Sequence, residues 1–362
     1  MVEHGQPLIR PQEERKRYAL AASHSDQINV CNLDGSCARA GVITVGNMQL
    51  PGKRPTRNWR HCIWCYDSQD VKCGPSHWKD MTKSCSGDNQ SPINIVRRKT
   101  QRDLSLDEIS FEGYDQAPAG RWQLLNDGHS VTMNLDGASA SDQINITKGG
   151  LQDTYRALQF HFHWGDSNKN GSEHTIDGRQ YPMELHLVHM NTKYKTINEA
   201  KGHPKGLAVL GFLFKVSEVD NTNYNTIIAG LRNISRAGVS VDLASTFPLS
   251  NLLPNMDSLS KYYRYKGSLT TPGCEEVVVW TVFEEEIPIS KPQLNAFVNT
   301  LYFKGGTKLV KMANNFRPSQ PLKNRKVYAS KDATISHSPA LPSSLLFPLL
   351  LAFLAGQLFD LC

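Results

Sequence analysis

Two short stretches carry residues whose types and spacing suit metal chemistry. In "QFHFHWG", residues 159–165, His161 and His163 stand one residue apart in a run that is mostly apolar and aromatic. At a strand's period of two, Gln159, His161 and His163 share one face, and Leu158, Phe160, Phe162 and Trp164 share the other. The second face reads as core. A lone histidine on the first would ordinarily be a core residue satisfied by its neighbours, but imidazoles at i and i+2 on one strand can reach a common metal ion. "MELHLVHMN", residues 183–191, offers a third ligand: Glu184, His186, Val188 and Met190 alternate onto one face, and Leu185, Leu187 and His189 onto the other. Only one histidine can join from this strand. His186 is assigned, because Glu184 precedes it by two residues as Gln159 precedes His161, and polar groups so placed accept a ring N–H and fix the ligand's tautomer. His189 reads as a satisfied histidine outside the site. Three neutral imidazoles leave zinc with its double charge and an open position, the layout of a catalytic rather than a structural site, where bound water is acidified into a hydroxide nucleophile.

Rigid strands must hold those rings. "RALQFHFHWG", "MELHLVHM", "GLAVLGFLFKV" and "EEVVVWTVFEEE" are strand-like in β-branched and aromatic content. Helical candidates are few: "NTIIAGLRNI" at 225–234, and "SKPQLNAFVNTLYF", where Ser290 reads as an N-cap with proline near the first helical position. Residues 1–61 show charge clusters and Gly/Pro punctuation without a sustained period and read as a disordered extension. Residues 62–328 form the folded domain, and 329–362 a spacer and apolar tail. The net charge is +6, but residues 1–60 hold nine Lys/Arg against five Asp/Glu, so most of the excess is in that segment. No aromatic interleaving accompanies it, which argues against a nucleic-acid partner. A zinc hydrolase with a carboxylate acting directly on the bound water finds no such carboxylate in these motifs.

In order along residues 63–328, "QSPINI" (90–95), "FHFHWG", "GSEHT" (171–175), "MELHLVHMN", "SLTTPG" (268–273) and "NNFRPSQPLKNR" (314–325) resemble the alpha-class carbonic anhydrases. The resemblance implies one α+β domain on a large twisted, mostly antiparallel central β-sheet of about ten strands, with short surface helices and zinc at the bottom of a cone-shaped cavity. It implies zinc ligation by His161, His163 and His186, ligand orientation by Gln159, Glu184 and the backbone of Asn315, and a relay in which Thr270 donates to Glu173 and accepts from the zinc-bound hydroxide. Val188, Val209, Leu269 and Trp280, with Thr270 and Thr271, match the substrate-binding wall, suited to carbon dioxide, and His129 of "NDGHS" matches the proton shuttle. The implied function is reversible hydration of carbon dioxide to bicarbonate and a proton by zinc-hydroxide attack; the alternative is a non-catalytic binding module of the same fold, which would tolerate loss of these residues. Sulfonamides are the implied inhibitors, donating an N–H to Thr270, and bicarbonate transporters are implied partners. Two departures stand out. Gly273 stands where many relatives carry a second proline or another residue, suggesting a looser Thr270 loop, and Asp127 occupies a position that is asparagine in several fast forms, suggesting a raised pKa at His129.

The eight cysteines include Cys65, Cys73, Cys85 and Cys274, which match the disulfides of the GPI-anchored, type IV branch of the family, paired 65 with 73 and 85 with 274. Closing so long a loop as the second would contribute about 5 kcal/mol on chain-entropy grounds. Asn145 and Asn233 begin glycosylation sequons. The apolar run Leu345–Phe359 is short of the roughly 20 residues that span a bilayer and follows a small, polar spacer, which reads as a GPI-attachment signal. Asp332 is the attachment residue favoured, with Ser330 competing. The expected location is the extracellular face of the plasma membrane, although Met1 is followed by no signal-peptide pattern. A wrong or alternative first exon in residues 1 to about 60 is the preferred explanation, a cytosolic reduced form the other.

Overall fold

The computed structural model describes residues 29–31, 37–39, 64–135, 143–305 and 309–335. The chain divides after Cys62. In the first unit the described residues are one antiparallel pair, Asn29–Cys31 with Cys37–Arg39. The rest of the expected N-terminal extension and the apolar tail lie outside the described residues.

The second unit is built on a sheet of thirteen strands among the described residues, ten on its main run and three pairing off it. At the centre, Tyr155–Trp164 pairs antiparallel with Met183–Asn191, which pairs antiparallel with Leu207–Ser217. Val278–Phe283 then runs parallel to Leu207–Ser217 and antiparallel to Tyr262–Gly267. Alternation gives this sheet two different faces. Phe160, Phe162, Trp164, Leu185, Leu187, Leu210 and Phe212 are fully buried in one apolar cluster, each such side chain contributing about 1.5–3 kcal/mol. Val188, Val209, Tyr265, Trp280 and Val282 belong to a second cluster, on the histidine side.

Leu158 departs from the simple alternation. Val188 lies opposite Gln159 but His189 lies opposite Ala157, so Leu158 is the extra residue of a bulge and packs with the histidine-side cluster.

The helix Lys291–Thr300 begins at Ser290 with a capping box: Ser290 Oγ accepts from Gln293 N at 3.2 Å, and Gln293 Oε1 accepts from Ser290 N at 3.2 Å. Its Phe297 lies 5.3 Å, ring to ring, from both Phe162 and Trp164, and so backs the two-histidine strand. The other helical stretch splits into a helix, Asn225–Gly230, and a 3-10 turn, Leu231–Ile234. Disulfides join Cys65 to Cys73 and Cys85 to Cys274, as the family resemblance implies.

Candidate metal centre and its cavity

Strand register brings the three histidines together: His186 lies directly opposite His161, and Glu184 opposite His163. The ring centroids are 5.1 Å apart for His161 and His163, 5.2 Å for His161 and His186, and 4.7 Å for His163 and His186. Each ring has one nitrogen facing an acceptor that has no proton to give. His161 Nδ1 is 3.0 Å from Gln159 Oε1, His163 Nδ1 is 2.8 Å from the Asn315 carbonyl, and His186 Nε2 is 2.7 Å from Glu184 Oε1. Those nitrogens must therefore carry the hydrogen and donate it, which leaves a lone pair on Nε2 of His161 and His163 and on Nδ1 of His186.

Burial, reinforced at His161 by the two neighbouring rings, holds His161 well below the ordinary imidazole range, and burial lowers His163 and His186 as well. All three are thus neutral, the form a metal needs. His163 Nε2 is buried and has no hydrogen-bond partner. One nitrogen from each of the three residues falls in a group spanning no more than 4.8 Å. Three unprotonated imidazole nitrogens without another acceptor role fit a zinc ion.

The layer behind the rings is densely bonded. Glu184 Oε2 accepts from the backbone N–H groups of Glu173 and His174, both at 2.8 Å, and Oε1 also accepts from His174 Nδ1 at 2.6 Å. Burial alone would raise the Glu184 carboxyl, but His174 and His186 beside it hold it well below the usual range. His174, Glu184 and His186 also form a metal-like cluster. There, however, His174 Nε2 meets the Tyr265 hydroxyl at 2.7 Å, so both its nitrogens are engaged and the cluster is scaffold. Glu173 Oε1 accepts from Arg317 N at 2.8 Å. Burial pushes the Glu173 carboxyl up to about 7, against the Thr270 hydroxyl and the Arg317 N–H, which favour its charged form. Its Oε2 is buried and free of any other hydrogen-bond partner.

A cavity of about 140 Å³ opens over His161 and His186. Val188, Val209, Leu269, Thr270, Thr271 and Trp280 line it, and all were expected there. Gln159 also reaches it, as do three residues that sequence reasoning missed: Ile197, Lys201 and Leu207. The spacing of Ile197 and Lys201 puts them on one face of the short helix Ile197–Lys201, but nothing local shows that this face turns to the cavity.

His129 does not line that cavity. It stacks on Trp64 at 3.6 Å with 12° between the rings, and its carbonyl accepts from Asn315 Nδ2 at 3.0 Å. Trp64 was not foreseen; its signal, an aromatic residue in a cysteine-flanked segment, is weak. Asp127 Oδ1 accepts from the backbone N–H groups of His129 and Ser130 at 2.8 and 2.7 Å. Burial lowers the His129 pKa, with Lys304 assisting; Asp127 pulls it up, as expected, but is outweighed. Nor is the Thr270 loop loosened at Gly273. That residue has φ +111°, closed to proline, and Cys274 N donates to the Thr271 carbonyl at 2.9 Å to fasten a turn that the Cys85–Cys274 disulfide anchors.

Three converging imidazoles, each with one nitrogen facing an acceptor and two of them opening onto the cavity, form a group able to hold a metal ion. Residues 73–331 match the eukaryotic-type carbonic anhydrases, and the chain belongs to that family. It is 47% identical to carbonic anhydrase 15 of Mus musculus over 276 residues, 76% of this chain and 85% of that one. Over 301 residues it is 39% identical to carbonic anhydrase 4 of Rattus norvegicus, covering 82% of this chain and 93% of the relative. The enzyme class is carbonate dehydratase, and hydration of carbon dioxide is the family's general activity.

Proposed function

We propose that the chain hydrates carbon dioxide reversibly with a zinc ion held by His161, His163 and His186, on the outer face of the plasma membrane. The observation that carries the zinc reading is the set of three unengaged imidazole nitrogens opposite three nitrogens that are each bonded to the protein. Bound there, zinc supplies a Lewis acid that acidifies water at neutral pH. Gln159, the Asn315 carbonyl and Glu184 keep the rings in the ligating tautomer. Thr270, directing its proton toward Glu173, offers only a lone pair to the reacting centre and so selects a nucleophile that still has a proton to donate. Val188, Val209, Leu269 and Trp280 exclude water and accept a small uncharged substrate. His129 receives the released proton and passes it to solvent.

Zinc analysis of the purified chain beside His161→Ala tests this reading. The parent is expected to carry one zinc and to hydrate carbon dioxide, and the variant to do neither; undiminished hydration by a zinc-free variant overturns it.

The membrane part rests on the two disulfides, the short apolar tail and the resemblance to anchored relatives. Among the described residues no helix is long and apolar enough to cross a membrane. Ser330 is fully buried, its hydroxyl donating to the Ser260 carbonyl at 2.7 Å, whereas Asp332 is exposed, which favours Asp332 for attachment. Asn233 is exposed on its turn and Asn145 half-buried in a strand, so Asn233 suits a glycan better. Given a working signal peptide, phosphatidylinositol-specific phospholipase C is expected to release activity from cells; activity retained on chains still carrying residues 345–362 would indicate a spanning tail.

A further inference from the structure

The cavity over His161 and His186 has one side that the hydration chemistry does not use. Beyond the His186 strand the chain folds into the short helix Ile197–Lys201, capped by Thr196, whose side chain accepts from Glu199 N at 3.2 Å. Ala200 is fully buried in the histidine-side cluster with Val188, Leu207 and Val209, which fixes the helix on that face of the sheet. Residues four apart share a side of a helix, and Ile197 and Lys201 both line the cavity.

Lys201 is the unusual member. The other lining residues are apolar side chains, two threonines, a glutamine and two histidines whose burial keeps them neutral, so Lys201 brings the only formal charge to the lining. Nothing neutralises it: among the described residues its side chain has no hydrogen bond or ion pair. Glu199, two positions back, points to another side of the helix, and its Oε2 accepts from Lys195 N at 3.0 Å. Lys201 is half-buried. A lysine so placed covers apolar wall with its methylene stem and keeps the ammonium at the wet end. One uncompensated charge in a narrow cleft with apolar walls acts on an entering ligand more strongly than it would on open surface. It also separates the two carbon species of the family's reaction, because carbon dioxide is uncharged and bicarbonate is an anion.

We propose that Lys201 sets the cavity's preference for anions: it draws in bicarbonate for the reverse reaction, retains bicarbonate as the product of hydration, and makes the site sensitive to other small monovalent anions. The inference rests on the zinc reading of the three histidines.

Calorimetric titration of the zinc-loaded chain with thiocyanate, at constant ionic strength, tests it beside stopped-flow dehydration of bicarbonate. Lys201→Met is expected to keep its zinc and to bind thiocyanate about fivefold more weakly, the upper end for a charge still open to solvent, and KM for bicarbonate is expected to rise by the same factor. Lys201→Arg should restore both values to within about twofold of the parent, and Lys201→Glu should weaken both beyond Lys201→Met. Raising the salt concentration should shrink the difference between parent and Lys201→Met. Lys195→Met removes the same charge from an exposed position outside the cavity lining and should bind thiocyanate as the parent does. A Lys195→Met loss equal to that of Lys201→Met overturns the proposal, because net charge and not the cavity would then be responsible, and so does a Lys201→Arg variant that behaves like Lys201→Met. A parent without zinc overturns the underlying reading and this inference with it; a zinc-loaded, active parent whose thiocyanate affinity is unmoved by Lys201→Met overturns this inference alone.

Discussion

His129 shows how a single residue's setting differs from what its neighbours in sequence suggest. Asp127, two positions away, pulls the pKa up as its charge suggests, yet the packing of Trp64 on the ring and the desolvation that goes with it prevail. With its pKa lowered from 6.5, the ring is neutral at pH 7 and ready to accept a proton. His129→Ala is therefore expected to keep its zinc, to hydrate carbon dioxide more slowly mainly in dilute buffer, and to recover with added imidazole. A slowed variant indifferent to buffer would place the proton path elsewhere. Asp127→Asn keeps an acceptor for the His129 and Ser130 amides but removes the charge that favours protonated His129. The ring's pKa should then fall further and the acid limb of kcat move to lower pH, measurable by stopped-flow pH profiles; a move to higher pH contradicts the assignment. The ligands were legible because alternation is a local property of "QFHFHWG" and "MELHLVHMN". Trp64, Lys201 and Ile197 were not, since each joins the region through chain segments remote from the motifs.

At the scale of elements, the sequence foretold the long strands and the Ser290-capped helix, whose signals lie within a few residues of one another. It did not foretell the bulge at Leu158, which depends on how two strands pair, 31 positions separating Leu158 from His189. The Thr270 turn is a similar case: Gly273 read as a loosening, whereas its φ of +111° makes it a requirement. Gly273→Pro would force φ to about −65° and rebuild the turn. Zinc content should stay at the parent level while kcat/KM for hydration falls about tenfold, the loss of roughly 1.4 kcal/mol of transition-state stabilisation. Unchanged kcat/KM would show that the turn does not position Thr270. Breaking the Cys85–Cys274 bond, which spans 189 residues, acts on the same turn from its other end and should lower the unfolding free energy by up to about 5 kcal/mol.

The whole molecule sets a broad sheet between an apolar core and a chemically active face, and imidazoles are buried on both. His189 points away from the metal centre: its Nε2 meets the Tyr114 hydroxyl at 2.6 Å, and burial lowers its pKa to about 4 from an ordinary 6.5. Because the folded value lies below the unfolded one, the unfolded chain binds the extra proton between them. Stability is therefore intact above about pH 6.5 and falls as the pH drops toward 4, by about 3 kcal/mol for this residue alone. The three depressed metal-site histidines act in the same direction when no ion is bound. Zinc stabilises the folded state by mass action, but protons compete for the same nitrogens, so the difference between zinc-loaded and chelated protein should shrink on acidification. Urea unfolding between pH 7 and pH 4 measures both effects. Replacing His189 by leucine together with Tyr114 by phenylalanine removes the titrating ring without stranding the hydroxyl, and should flatten the acid loss in chelated protein by one proton's worth of slope. An unaltered slope in that double variant would show that the acid sensitivity arises at the metal centre and not in the core behind it.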